Sequence, residues 1–385
     1  MTLEARRQYL TAIRERYRQS TKKEKGTVLD EFTQVCGYSR KYAIRILTGR
    51  VEPRTRKPGP KPKYGQRFVL CLKELWEAMG RICSKKMVVA IRDWLPNFKS
   101  RLLAADVKRQ LREVSPATID RLLRPFRHAP ARGLSTTISA HAQGKIPIEL
   151  LHGETDRPGY IEADTVGHCG TALGGRFAYS ITATDLASGW TENRACLGKD
   201  AETVVDKIDE IERALPVKML GFACDNGSEF LNYDLIRFFN EGRKEPVKFT
   251  RRRPYKKNDA AHVEQKNWTH VRQLFGYDRI EDPATVAIMN EIYRAYWNPL
   301  QNFFIPCMKL VKKERVGAKI KKTYDQPKTP YQRLLENEHL HRHIKERLRI
   351  ARQWKNPFTL RQELNRRLRD FVRLVELERK RRLAG

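Results

Sequence analysis

A chain of 385 residues with 40% hydrophobic content is long enough for two or three domains with real cores, and too apolar for a disordered class. Its 77 Lys and Arg against 45 Asp and Glu leave a formal charge of +32. Such a surface repels itself unless an anion compensates, and no stretch has the apolar length that spans a bilayer, so membrane-embedded classes are excluded. Nucleic acid is the partner this charge indicates, because neutralised phosphates release counterions. A ribosome-type or membrane-surface protein is the plainer alternative. The seven cysteines are scattered without a C-x-x-C or zinc spacing and read as reduced thiols. Residues 1–18 are charged at helical spacing, unlike a signal peptide. The expected location is cytoplasmic and nucleoid-associated.

In chain order, residues 1–50 read as helical. Val28, Phe32 and Val35 make an apolar stripe that Gly37 ends, and Ser39 caps a second helix. That helix turns Ala43, Ile46 and Leu47 inward and Arg40, Lys41 and Arg45 outward. Helix, short turn and basic helix form the helix-turn-helix pattern, whose second helix enters the major groove. A helical hairpin with a solvated basic face fits the same residues. Residues 51–66 are a basic, Pro-rich linker. Residues 67–130 return to helix: Phe68, Leu72, Leu75, Trp76 and Met79 share a face, then Met87, Ile91, Trp94 and Leu95. Ser115 and Pro116 open a helix carrying Ile119, Leu122 and Leu123, a second DNA-binding candidate. Residues 131–157 read as a connector.

From 158 the period changes. Segments 160–166, 177–184 and 189–195 predict three antiparallel strands, with Gly174-Gly175 and the turn residues Asp185 and Ser188 between them. A helix over 199–215, a strand over 217–224, a helix over 230–240, a strand over 247–250 and a helix over 259–275 follow. The result is a mixed α/β sheet with helices on its faces. The region 301–385 reads as basic and helical, with Thr329-Pro330 opening one helix and Leu360, Leu364, Leu368 and Phe371 striping another. Its arginines form either a solvated face or a DNA-contacting arm.

Three acids stand out. Asp164 shares a strand face with Glu162, Asp225 ends the central strand before a Gly turn, and Glu264 opens the helix whose stripe is Trp268, Val271 and Phe275. For any one of them a cap, turn or surface role is the plain reading. Together they suit two-metal phosphoryl chemistry, in which carboxylates hold Mg²⁺ or Mn²⁺ that activate the attacking oxygen and stabilise the leaving one.

The segment Asp225-Asn-Gly-Ser-Glu-Phe230 resembles the one around the second acid of DDE-type transposases and integrases, the retroviral integrases and bacterial insertion-sequence enzymes with an RNase H-like core. The stretch from Asn258 to Asn267, with Val263-Glu264 inside it, is similar to that family's third segment, and Glu162-Ala-Asp-Thr-Val-Gly-His168 to its first. The resemblance covers about 158–300. Joined to the readings above it gives a multidomain protein: an α-helical helix-turn-helix N-terminal region, an α/β catalytic core with a mixed sheet over 158–300 that the resemblance makes RNase H-like, and a helical basic C-terminal region. The resemblance itself concerns the core. It implies metal-dependent cleavage of element ends, strand transfer into target DNA, and transposition of an insertion sequence. Asp164, Asp225 and Glu264 would be catalytic and hold two Mg²⁺ or Mn²⁺. Double-stranded DNA and a homo-oligomeric synaptic complex are the implied partners. The interval from Asp225 to Glu264 is longer than usual in the family, and a longer loop over 251–257 absorbs it. The amino-terminal zinc module of retroviral integrases has no counterpart, which favours a bacterial-type transposase.

Arg251, Arg252, Arg253, Lys256 and Lys257, ahead of Glu264, read as a phosphate-gripping loop. Asp185 reads as a turn residue before a fourth acid. His168 and His262 flank two acids but have no ligand spacing. A nuclease that cuts without joining, or a DNA-binding regulator on an inactive core, remains open on sequence.

Overall fold

The computed structural model describes residues 1–51, 63–127, 156–172, 174–224, 230, 232–241, 243–251, 266–317 and 319–384. The chain divides into two compact units, Met1–Lys63 and Tyr64–Gly385.

The first unit is three helices, α1 (Leu3–Gln19), α2 (Lys22–Cys36) and α3 (Arg40–Leu47). Thr21 and Glu24 form a capping box at the start of α2, and Gly37 ends it in the left-handed conformation, at φ 67°, that a side chain would strain. Its core is Leu10, Ile13, Val28, Leu29, Phe32, Cys36, Ala43, Ile46 and Leu47. Val35, expected to face inward, is 46% exposed. Leu29 and Cys36 take the buried positions of α2 instead.

The second unit begins with α4 (Gln66–Ala78), α5 (Ser84–Trp94), α6 (Ala105–Glu113) and α7 (Pro116–Leu123). Ser115 caps α7 as expected, its hydroxyl accepting from the Thr118 amide, with Pro116 at the first turn. These helices share one hydrophobic core with the sheet and the C-terminal helices. The Trp94 indole donates to the Phe304 carbonyl at 3.1 Å, and Arg361 Nε to that of Ala78 at 2.7 Å.

The sheet has five strands: β1 (Tyr160–Gly167), β2 (Ala178–Asp185), β3 (Thr191–Leu197), β4 (Gly221–Cys224) and β5 (Lys248–Arg251), in the order β3-β2-β1-β4-β5. The first three are antiparallel, whereas β4 runs parallel to β1 and β5 parallel to β4. Helices α8 (Ala201–Ala214) and α9 (Tyr233–Asn240) make the crossovers, each capped by an Asp or Asn side chain. This is the mixed α/β sheet the sequence predicts.

Past β5, α10 consists of a π-helical turn, Asn267–Arg272, running into Gln273–Phe275. In α11, an α-helical stretch Pro283–Glu291, a π-helical turn Ile292–Trp297 and a last stretch Asn298–Phe304 are continuous. This helix covers the open edge of β3 with asparagines. Asn302 accepts from the Thr191 amide and donates to its carbonyl, both at 2.9 Å, and Asn290 does the same at Ala195, both at 2.8 Å. Each carboxamide thus stands in for a neighbouring strand's peptide and blocks edge pairing.

The tail is not wholly helical. A hairpin, β6 (Leu310–Val316) and β7 (Lys319–Tyr324), forms its own two-stranded sheet before α12 (Pro330–Glu336), α13 (Arg342–Gln353) and α14 (Pro357–Ala384). Val311, Val316 and Ile320 favour strand, and Gly317 turns the chain at φ 60°, a signal that the many lysines obscure.

Candidate functional site

Strand alternation puts Glu162, Asp164 and Val166 on one face of β1. The register carries that face across β2 as Thr184, Thr182 and Ser180, and across β3 as Thr191, Asn193 and Ala195. Two rows are therefore polar in a buried place: Glu162–Thr184–Thr191 and Asp164–Thr182–Asn193. Only Asp164 among these six is half-buried; the others are buried.

Polar groups so placed must be hydrogen-bonded, and α10 supplies the partners for the second row. Asn267 Nδ2 donates to Asp164 Oδ2 at 2.6 Å, while the Thr165 amide donates to Asp164 Oδ1 at 2.9 Å. Asn193 Nδ2 donates to Thr182 Oγ1 at 2.9 Å, which leaves Asn193 Oδ1 to accept from His270 Nδ1 at 3.0 Å. His270 is held neutral: burial, then the charges of Lys266 and Lys86, push its pKa well below the usual range. Asn267 Oδ1 is buried and accepts no hydrogen bond, an orphan oxygen beside a carboxylate. Arg272 locks the end of α10 to the end of β1, its Nη2 donating to the Gly167 carbonyl at 3.0 Å.

The π-helical turn changes which side chains face the sheet. Val271 and Phe275 are buried as the predicted stripe requires, but Trp268 is 39% exposed, and Asn267 and His270 turn toward the strands instead. A π turn holds more residues than an α turn, so a stripe projected at α-helical phase drifts off the face.

Asp225, Glu264, Arg252, Arg253, Lys256, Lys257 and His262 lie outside the described residues. Cys224, the last residue of β4, immediately precedes Asp225 in the sequence and pairs in register with Arg251, the half-buried end of β5. On α3, Lys41 and Arg45 are exposed, and Arg40 is ion-paired with Asp30. Asp185 is buried in the turn role: Oδ1 accepts from the Gly159 amide at 2.7 Å, and Oδ2 from the Ser188 amide at 2.8 Å and hydroxyl at 2.5 Å. His168 is bonded through Nε2 to Ser180 Oγ at 2.9 Å, and burial followed by Arg272 pushes its pKa down to about 3. Among the described residues, no three His, Cys, Asp or Glu side chains gather as a metal group.

Sequence reasoning missed the roles of Thr182, Asn193, Asn267 and His270. The signal was present in part: a buried strand reading Thr-Glu-Asn-Arg needs partners, and Asn267 and His270 are one turn apart.

The fold and this polar row define a mixed α/β protein with a carboxylate held between sheet and helix. No helix among the described residues is long and apolar enough to cross a membrane. No family model matches the chain. It is 35% identical over 347 residues to uncharacterized protein y4rM of Sinorhizobium fredii (strain NBRC 101917 / NGR234), a match covering 86% of this chain and 96% of that protein. The chain belongs to the family of that protein. Among solved structures it is similar to a chain of the simian T-cell lymphotropic virus intasome in complex with PP2A regulatory subunit B56 gamma, at 14% identity and a TM-score of 0.27, over 44% of this chain and 55% of that one.

Proposed function

We propose that the protein is a DDE-type transposase, cutting element ends and joining them to target DNA through Asp164, Asp225 and Glu264 on an RNase H-like core. One observation carries the reading: Asn267, the last residue of the third family-like segment, hydrogen-bonds to Asp164 in the first. The parallel pairing of β4 with β1 adds to it, since the second segment follows Cys224 directly in the sequence. The +32 charge supplies the affinity for double-stranded DNA, and joining two ends calls for at least a dimer.

The donors near Asp164 fit a hard divalent cation. Asp164 offers carboxylate oxygens and Asn267 Oδ1 is an unpartnered oxygen beside them, the oxygen donors such a cation prefers. Asp164, Asp225 and Glu264 would hold two Mg²⁺ or Mn²⁺, which when bound activate the attacking oxygen and stabilise the leaving one. The chain's own part is to hold Asp164 in one orientation, through the Thr165 amide and Asn267, and to keep His270 uncharged against Asn193. Arg251 and the four basic residues after it would grip the phosphates.

The test is cleavage and strand transfer of a duplex carrying the element ends by Asp164→Asn, Asp225→Asn and Glu264→Gln. Each amide keeps the shape and removes the charge that balances a dication, and each should cost nearly as much as all three together. Normal cleavage by all three variants would leave a DNA-binding regulator. Cleavage without joining by the unaltered protein would leave a nuclease.

A further inference from the structure

Helix α13 (Arg342–Gln353) is fixed to the second unit by one side. Leu348 is buried in the common core and Ile344 packs against it. Arg352 pairs with Asp93 at 2.7 Å, and its guanidinium lies over the Phe304 ring at 4.9 Å. The other side faces outward. Steps of three and four residues bring Arg347, Ile350 and, at the C-cap, Trp354 onto one stripe, and all three are exposed.

A single apolar side chain at a surface is ordinary, but here two adjoin on a basic helix. Trp354 is 82% exposed, the highest fraction of any large hydrophobic side chain among the described residues, and Ile350, one turn before it, is 51% exposed. Among the described residues, Trp354 stacks on no other ring and Arg347 pairs with no acid. The one acid of α13, Glu346, is taken by Arg349 at 3.0 Å.

Charge decides what covers an indole so placed. A second copy of the chain would set like charge against like, because each carries +32. A polyanion suits the arginine, and the flat face of a base suits the indole. A closed duplex offers base edges in its grooves and hides base faces in the stack, so the indole needs a base that is unpaired.

We infer that this stripe seats an unpaired nucleotide of a DNA strand, with Trp354 stacked on the base, Ile350 against the sugar and Arg347 on the adjoining phosphate. The inference rests on the proposed DNA-processing function and names the part of the substrate that this face takes, a frayed or single-stranded end.

The experiment is equilibrium binding of the full chain, in chelator so that no chemistry intervenes, to two DNA probes of one sequence. One is a linear duplex with thymidine overhangs; the other is a covalently closed relaxed circle, which has no free base face. Trp354→Ala should lower affinity for the overhang probe by about 5–150-fold, the worth of stacking one base, and leave the circle within about twofold. Trp354→Phe should keep most of the affinity, and Arg347→Ala should lower the salt slope on the overhang probe by about 0.7. Thermal midpoints should stay level, since neither side chain is buried. In the unaltered protein, iodouracil placed in the overhang should crosslink to Trp354 on irradiation, and iodouracil in the paired stem should not. Equal losses on both probes, or no loss and no crosslink, overturn the inference. So does tighter seating of an RNA overhang, or self-association or binding to phosphatidylserine vesicles that Trp354→Ala abolishes. Failure of the acid variants to abolish cleavage would sink the transposase reading and leave this binding result standing.

Discussion

Asn267 donates to Asp164 at 2.6 Å across 103 residues of sequence, from a π-helical turn to the middle of β1. The bond joins the only described member of the candidate acid triple to the helix that follows Glu264 in the sequence. Asn267→Ala removes it and loosens the orientation of the Asp164 carboxylate. If Asp164 is a metal ligand, cleavage should fall by about 10–100-fold, with a higher Mg²⁺ requirement, as happens when an outer-shell partner is lost. The Mg²⁺ titration is the telling measurement, because a purely structural role would lower the unfolding midpoint without moving the metal requirement.

The asparagine clamps on β3 lead to a stability prediction independent of catalysis. Asn302→Ala strips both partners from the Thr191 peptide, a buried N–H and C=O. The cost should be about 1–3 kcal/mol in urea unfolding, with faster hydrogen exchange at the Thr191 amide. Asn290→Ala should act likewise at Ala195. Unaltered exchange at Thr191 would show that the edge is protected by something other than the carboxamide.

Most of the sheet was legible because strand periodicity and Gly turns are local signals: all five strands fall where alternation and turns put them, with ends shifted by a few residues. Asp164 was legible as a face-sharing acid for the same reason. The polar row behind it was not. Thr182, Asn193 and His270 meet only through the sheet's register and the phase of α10, and the π-helical turn gives that phase no simple period. The pair β6 and β7 was missed because six cations in fifteen positions read as a solvated helix, although Gly317 between two alternating runs marks a hairpin.

The first unit should fold alone. Phe32 is fully buried at the centre of its core, stacked with Tyr9 at 5.8 Å, and Arg14 Nη2 ties α1 to the Ile46 carbonyl at 2.7 Å. A fragment of residues 1–63 should give a cooperative thermal transition, and Phe32→Ala should cost about 3–5 kcal/mol, enough to abolish it in so small a core. A fragment that is unfolded by circular dichroism would mean that this unit depends on the rest of the chain.

Acid should destabilise the second unit through its buried imidazoles. His168 has a folded-state pKa pushed down to about 3 by burial and then by Arg272, against about 6.5 when exposed. Above pH 6.5 both states hold it neutral and it makes no pH-dependent contribution. As pH falls below 6.5 the unfolded chain takes a proton that the native one refuses, so stability is lost at about 1.4 kcal/mol per pH unit until the native imidazole also titrates near 3. His270, buried and lowered in the same way, adds in the same direction. His168→Gln keeps a hydrogen-bonding side chain opposite Ser180 and removes the proton. Its stability should therefore approach or overtake that of the unaltered protein as pH drops from 7 to 4.5, whatever the carboxylates contribute to both curves. Urea midpoints at half-unit pH intervals would measure this. Parallel curves would mean that the native fold accepts an imidazolium at His168, and that the Ser180–Tyr293 hydroxyl pair beside it rearranges to do so.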